Sequence, residues 1–315
     1  MIDFSFGGTL RIPLVQAPMF LISNSAMALA CCSRGVMGSF PAHATRTRVM
    51  FAGWLDDMER GLDALDNPAP WAVNIVVHPT NERAEGDLAL CIDAKVPVIL
   101  TSKGAPERVF GRIHDYGGLV FHDVASARHA EKAAAAGADA LIAVTSGAGG
   151  HCGTINPFAL LNEIREVTDK PIILSGAMST GRDILAAQAM GASLAYMGTR
   201  FIPTTEGGGD DAYHQMLIDS SAKDVFFTAA LDGAPANWIV SSLIDCGIDL
   251  DELATTIPGA VMASGKVRER YSKVKSCGQG VGMVKAIESA AAICDRLVAE
   301  YAAARAELAP LVAAA

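Results

Sequence analysis

GLVFHDVASARHAEKAAAAGADALIAVT, residues Gly118–Thr145, reads as one complete strand–helix–strand unit. Its two ends, Gly118–Val124 and Ala140–Thr145, are short and almost continuously apolar. Runs of that kind suit parallel strands covered on both faces. Between them Ser126 stands where a helix N-cap is expected, ahead of the helix-compatible stretch Ser126–Ala136.

The unit recurs along the chain at intervals of about 20 to 35 residues. Strand-like runs precede it at Leu14–Met19, Val36–Phe40, Trp71–Val77 and Val96–Thr101, and follow it at Pro171–Gly176 and Leu194–Gly198. Helix-compatible segments fall between them at Ser25–Cys32, Arg46–Leu65, Glu82–Asp93, Pro106–Ile113, Pro157–Val167 and Gly181–Met190. Eight successive units predict an α/β protein, a (β/α)8 TIM barrel, with a doubly wound open sheet as the competing arrangement because spacing does not reveal closure.

The pattern breaks after Phe201, where helical periodicity mixes with turn clusters. The expectation is a barrel built from residues 1–204 and 277–315, carrying a smaller, mainly helical inserted domain at 205–276 on the face where the strands end. A long apolar-striped segment, Gly280–Glu300, is expected to supply the last barrel helix.

The chain has 315 residues, 51% of them hydrophobic and 19% charged, which is enough to bury one large core. A net charge of -9 argues against nucleic acid or an anionic membrane surface as a partner, and leaves small molecules. No apolar run reaches the roughly 18 residues of a membrane span, and the chain starts with an acidic rather than a basic stretch, so a cytoplasmic location is expected. The seven cysteines show no CxxC spacing and suggest neither a zinc site nor a disulfide framework. A mean hydropathy of +0.30 and the apolar last helix point toward a homodimer.

In a barrel, all strand ends open on one mouth. Gln16 and Met19 lie there after the first strand, Asn74 in the third, Thr101 and Ser102 after the fourth, and His122 and Asp123 at the fifth. The sixth strand runs into TSGAGGHCG, Thr145–Gly153, which sets His151 on a glycine-rich loop. Ser175, Gly176 and Ala177 close the seventh strand and Gly198 and Thr199 the eighth, a pair of turns where barrels commonly hold a phosphate. His122 joins this cofactor-binding set, although it cannot easily pair with Asp123, since adjacent strand residues point to opposite faces. Asn74 needs hydrogen-bond partners, from a ligand or from backbone. Cys152, beside His151, reads as small apolar filler.

These residues carry a family likeness: QAPM at Gln16–Met19, VNIVV at Val73–Val77, GAGGHCG at Gly147–Gly153, LSGAMSTG at Leu174–Gly181 and YMGTRF at Tyr196–Phe201. GAPANWIVSSL at Gly233–Leu243 and GQGVG at Gly278–Gly282 extend it. The chain resembles the nitronate monooxygenases, once called 2-nitropropane dioxygenases, among the FMN-dependent barrel oxidoreductases. The resemblance implies FMN held by the backbone of Gln16, Ala17, Pro18 and Met19, by Asn74 at the ring, and by Val144, Gly149 and Gly150. It implies a phosphate held by Ser175, Gly176, Ala177, Tyr196, Met197, Gly198 and Thr199. It makes His151 a general base or a hydrogen-bond donor to a nitro group, in a reaction of alkyl nitronates with O2 that gives a carbonyl compound and nitrite. Two departures stand out: Ala177 where some members have glycine, and Asp123 where some have lysine. An alternative stays open, reduction of a quinone or an enoyl thioester with NAD(P)H as a transient co-substrate. A non-flavin phosphate-binding barrel is the rival from another class, with Lys103 the only lysine just past a strand end.

Overall fold

The computed structural model describes residues 9–104, 107–260 and 273–313. Pro106, expected to open the fourth helix, and residues 261–272 of the inserted segment lie outside the described residues. Eleven strands are formed among those described. They are β1 (Leu14–Gln16), β2 (Gly38–Pro41), β3 (Trp71–Val76), β4 (Val98–Ser102), β5 (Leu119–Val124), β6 (Ala140–Val144), β7 (Gly150–His151), β8 (Ile172–Ser175), β9 (Leu194–Met197), β10 (Val225–Thr228) and β11 (Ala236–Ile239). Eight of them pair in parallel in the order β1-β9-β8-β6-β5-β4-β3-β2. The two edges then meet: Gln16 N–H donates to Met37 O at 2.8 Å and Met37 N–H to Leu14 O at 3.1 Å. That contact makes the sheet a TIM barrel rather than an open doubly wound sheet.

The intervening helices are α1 (Ser25–Cys32), α2 (Arg48–Asp63), α3 (Ala84–Asp93), α4 (Glu107–His114), α5 (Ala127–Ala135), α6 (Pro157–Arg165) and α7 (Gly181–Ala189). Their starts are set locally. The side chains of Asn24, Thr47, Ser126, Asn156 and Thr180 each accept a bond from a backbone N–H in the first turn. Such caps contribute about 1 kcal/mol each.

Strand alternation divides the core in two. Val15, Met37, Ala72, Leu100, Phe121, Ile142, Ile173 and Leu194 fill the barrel interior. Val73, Ile75, Ile99, Val120, Leu141, Ala143, Ile172 and Leu174 face the helix layer. The parity of each strand therefore states which of its terminal residues face the axis.

Past β9 come α8 (Asp211–Asp219), α9 (Val240–Asp245) and α10 (Leu250–Thr255), with β10 and β11 between α8 and α9. The segment is thus not built from helices alone. β10 and β11 form an antiparallel sheet whose third strand is β7, from the loop after β6. The last helix, α11 (Ala290–Ala313), begins ten residues later than Gly280. Residues Gln279–Met283 form a short 3-10 turn instead, because Gly280 is wedged against the β8–α7 loop: Ser179 Oγ donates to Gly280 O at 2.8 Å. Among the described residues no helix is long and apolar enough to cross a membrane.

Candidate active site

The inner wall near the strand ends is formed by Asn74, Asp123, Val144, Ser175 and Tyr196, which share the parity of the interior residues on their strands. Asp123, Val144 and Tyr196 are partly open, whereas Asn74 and Ser175 are buried. Asn74 finds its partner in the barrel itself, donating through Nδ2 to Leu100 O at 3.1 Å. Burial pushes the Asp123 carboxyl up to about 7. It also raises the Tyr196 phenol well above its ordinary value, and the Asp123 charge adds to that rise.

His122 occupies the other face of β5. Its Nδ1 lies 2.7 Å from Thr101 Oγ1, and its ring stands 5.7 Å from that of Phe110 on α4. Burial lowers its pKa to about 4, so the imidazole is neutral at ordinary pH. Its side chain is therefore turned into the helix layer, and Asp123 is the residue of the pair that lines the mouth. Gln16 is similarly turned outward: Oε1 accepts from Ser39 N–H at 2.9 Å, while Nε2 donates to Ser23 Oγ at 3.0 Å and to Ala17 O. The glutamine stitches the β1–α1 loop to β2, and both ends of its amide are taken up within the protein. Ala17 is buried, and Pro18 and Met19 are half-buried. Gly198 abuts this loop, since a Cβ there would stand 3.4 Å from Met19 Sδ and 3.6 Å from Ala17 Cβ.

The ends of β8 and β9 converge with the loop after β6. Gly147 O accepts from Ala177 N–H at 3.1 Å and from Gln279 N–H at 3.0 Å, and Gly278 N–H donates to Thr199 Oγ1 at 2.8 Å. Gly176 has φ +127 and Ala177 φ +58. At Gly176 a side chain would be strained twice over, because its Cβ would also fall 2.3 Å from Thr145 Oγ1. The Ala177 N–H, expected to face a phosphate, is taken up inside this junction. The start of α7 is occupied too: Asp183 accepts from Ser179 and Thr180 N–H, and Glu300 from Gly181 N–H, all at 2.8 Å. Gly176, Gly198 and Thr199 stay half-buried at this junction. Met197 is fully buried beside it.

His151 lies in β7, which pairs with β11 in the register Ala236↔His151 and Asn237↔Gly150. The loop is fastened on both sides. Asn237 Nδ2 donates to Ser146 O at 2.8 Å and to Ala148 O at 2.7 Å, and Cys152 N–H donates to Pro235 O at 2.9 Å. Gly150 supplies the positive φ of +65 at the turn into the strand, and Gly149 next to it is exposed. Burial raises the Cys152 thiol to about 11, which keeps it protonated and unsuited to nucleophilic attack. The imidazole Nε2 stands 2.5 Å from Asp232 Oδ2. Asp232 was not found by the sequence reading; its one signal is that it directly precedes the GAPANWIVSSL stretch.

A closed parallel barrel with a histidine loop, glycine turns and a half-buried carboxyl gathered at the strand ends is the arrangement of a TIM-barrel enzyme. The chain belongs to the nitronate monooxygenase family, whose model matches residues 63–300, and is an oxidoreductase. It is 27% identical over 283 residues to a nitronate monooxygenase of Paraburkholderia phytofirmans, covering 75% of this chain and 76% of that one. It is also 27% identical over 259 residues to a Mycobacterium tuberculosis enzyme, (3aS,4S,5R,7aS)-5-hydroxy-7a-methyl-1-oxo-octahydro-1H-indene-4-carboxyl-CoA dehydrogenase, covering 81% of this chain and 70% of that one. Among solved structures, a nitroalkane oxidase from Streptomyces ansochromogenes superposes with a TM-score of 0.78 at 26% identity, covering 94% of this chain and 98% of the other.

Proposed function

We propose that this chain binds FMN across the barrel mouth and oxidises alkyl nitronates with O2 to a carbonyl compound and nitrite. The observation that carries the reading is the placement of His151, held by a second sheet above a mouth whose inner wall stays partly open at Val144, Tyr196 and Asp123. The residues present suit a flat, phosphate-bearing ring system. Its phosphate would meet backbone at Gly176, Gly198 and Thr199, and its ring the Met19 side of β1 and the Asn74–Val144 wall. FMN, when bound, would accept electrons and pass them to dioxygen. The chain's own part is to exclude water, hold the substrate, and handle a proton or the nitro oxygens at His151. The cytoplasm suits such an enzyme, with Cys31, Cys32, Cys91, Cys277 and Cys294 all buried thiols.

The test is anaerobic reduction of the flavin-loaded protein by propyl nitronate, NADH and NADPH in parallel. Bleaching by the nitronate alone is expected, and a preparation that takes up no FMN overturns the cofactor assignment. His151→Asn is expected to lower turnover of neutral nitroalkane by about 10²–10⁴-fold, as removal of a proton-transfer group does. Turnover of preformed nitronate should fall far less. A second reading, NAD(P)H-dependent reduction of an enoyl thioester or a quinone, is favoured by the likeness to a dehydrogenase named for a coenzyme A thioester. Rapid bleaching by NADH or NADPH, with none by nitronate, would select it.

A further inference from the structure

We propose that Asp232 is the positioning residue that decides which nitrogen of His151 handles the proton. The inference rests on the reading of His151 as the proton-handling group. A carboxylate oxygen accepts only, so the 2.5 Å contact between Asp232 Oδ2 and His151 Nε2 requires the hydrogen on Nε2. In the neutral ring the lone pair is then on Nδ1, and no partner for Nδ1 is found among the described residues. Nδ1 is the base, and Nε2 is the anchor.

Both sides of the contact are fixed. Asp232 Oδ1 accepts from Ala234 N–H at 3.1 Å, which folds residues 232–234 into a tight turn and sets the direction of the carboxylate. Two residues on, β11 starts at Ala236, directly opposite His151. The Cys152 N–H bond to Pro235 O closes the frame from the other side. Asp232 is mostly shielded, with 16% of its side chain exposed, while the His151 side chain is 44% exposed. The imidazole thus stays more open than the carboxylate that anchors it. A proton taken up at Nδ1 would give a cation with Asp232 already bonded to its far nitrogen, an arrangement that stabilises the charged ring without moving it.

The experiment uses the flavin-loaded full chain, labelled with ¹⁵N-histidine, at a pH where the His151 ring is neutral. The wild-type ring is expected to show a protonated Nε2 and an unprotonated Nδ1 in its ¹⁵N shifts. Asp232→Ala should shift the tautomer population toward protonated Nδ1 and lower kcat for neutral nitroalkane by about 10²-fold with KM within twofold, the scale of a misplaced catalytic group. Asp232→Glu should restore part of both. A wild-type ring protonated at Nδ1 overturns the proposal, and so does an Asp232→Ala protein with unchanged tautomer and unchanged kcat. If Asp232→Ala fails to fold, the wild-type spectrum alone decides. A tautomer that responds to Asp232 in a protein without nitroalkane or nitronate turnover would leave the positioning role standing and remove the proposed reaction; the opposite pattern would do the reverse.

Discussion

The barrel wall and the small antiparallel sheet over its mouth are held together by contacts of different reach. In the wall every pairing but one joins strands a single β–α unit apart, as where Asn74, opposite Leu100, donates to its carbonyl across 26 positions of chain; the exception is β1 with β9, the first and last strands of the barrel. In the small sheet, β7 is joined to β11 by residues far apart in sequence, and the His151–Asp232 contact spans 81 positions. The wall supplies the half-buried carboxyl of Asp123. The sheet brings the imidazole and fixes how it points. Positioning of the imidazole is therefore a property of the distant pairing, and the loop glycines only make room for it.

The strongest way to break the sheet without touching its ring contacts is Asn237→Leu. Asn237 is fully buried, and its amide is the donor to both Ser146 O and Ala148 O. Each buried carbonyl that loses its donor costs about 1–3 kcal/mol, so a loss of about 2–5 kcal/mol in unfolding free energy is expected. Denaturant melts monitored together with amide exchange at Gly150 would check it. Faster exchange at Gly150 with unaltered exchange in β3 and β4 is the signature of a sheet that loosens while the wall holds; equal loosening of both would dissolve the distinction.

The same contrast explains what was legible in the residues. The apolar runs of β4, β5, β6 and β8, and caps such as Ser126, Asn156 and Thr180, act within a few positions of themselves and can be read locally. Closure of the barrel depends on β1 pairing with β9, the last barrel strand, and on its single bridge to β2 at Val15↔Met37, which no spacing encodes. Asp232 has a partner 81 positions away, so the residues beside it mark a turn but not its contact with His151. His122 and Asp123 lie between the two cases. Alternation puts them on opposite faces, but which one faces the axis needs an anchor, and Phe121 in the helix-free interior provides it. The late start of α11 was illegible because the contact that stops Gly280 from joining it comes from Ser179, about a hundred residues earlier.

Asp123 sharpens the comparison from the side of the wall. Its carboxyl, raised by burial to about 7, keeps a proton in the folded protein that the unfolded chain has already released above its ordinary value of 3.8. The folded state therefore binds more protons across this window, and stability falls as pH rises from about 4 to about 7. Asp123→Asn removes the titration. In flavin-free protein the variant should gain on the wild type by at most about 1.4 kcal/mol per pH unit across that window, and by nothing further above it. Thermal melts at pH 5, 6, 7 and 8 give the answer; two parallel curves would mean that the carboxyl is not held in the wall.

The smallest effect is expected from His122→Leu, on the outer face of the same strand. The histidine bonds Thr101 Oγ1 and packs by Phe110, so its loss should cost about 1 kcal/mol, softened because Thr101 Oγ1 also donates to Phe121 O. Burial lowers the imidazole to about 4. In the wild type the unfolded chain takes up a proton near 6.5 that the folded protein refuses until about 4, so wild-type stability falls with acid across that range. The deficit of the variant should accordingly shrink between pH 6.5 and 4. Since this side chain faces α4 and not the barrel axis, the dissociation constant for FMN should stay within about twofold of the wild type, because no ligand contact is removed. A tenfold weaker FMN complex, titrated by fluorescence, would put His122 back at the mouth and with it reverse the inward and outward assignment of every residue on β5.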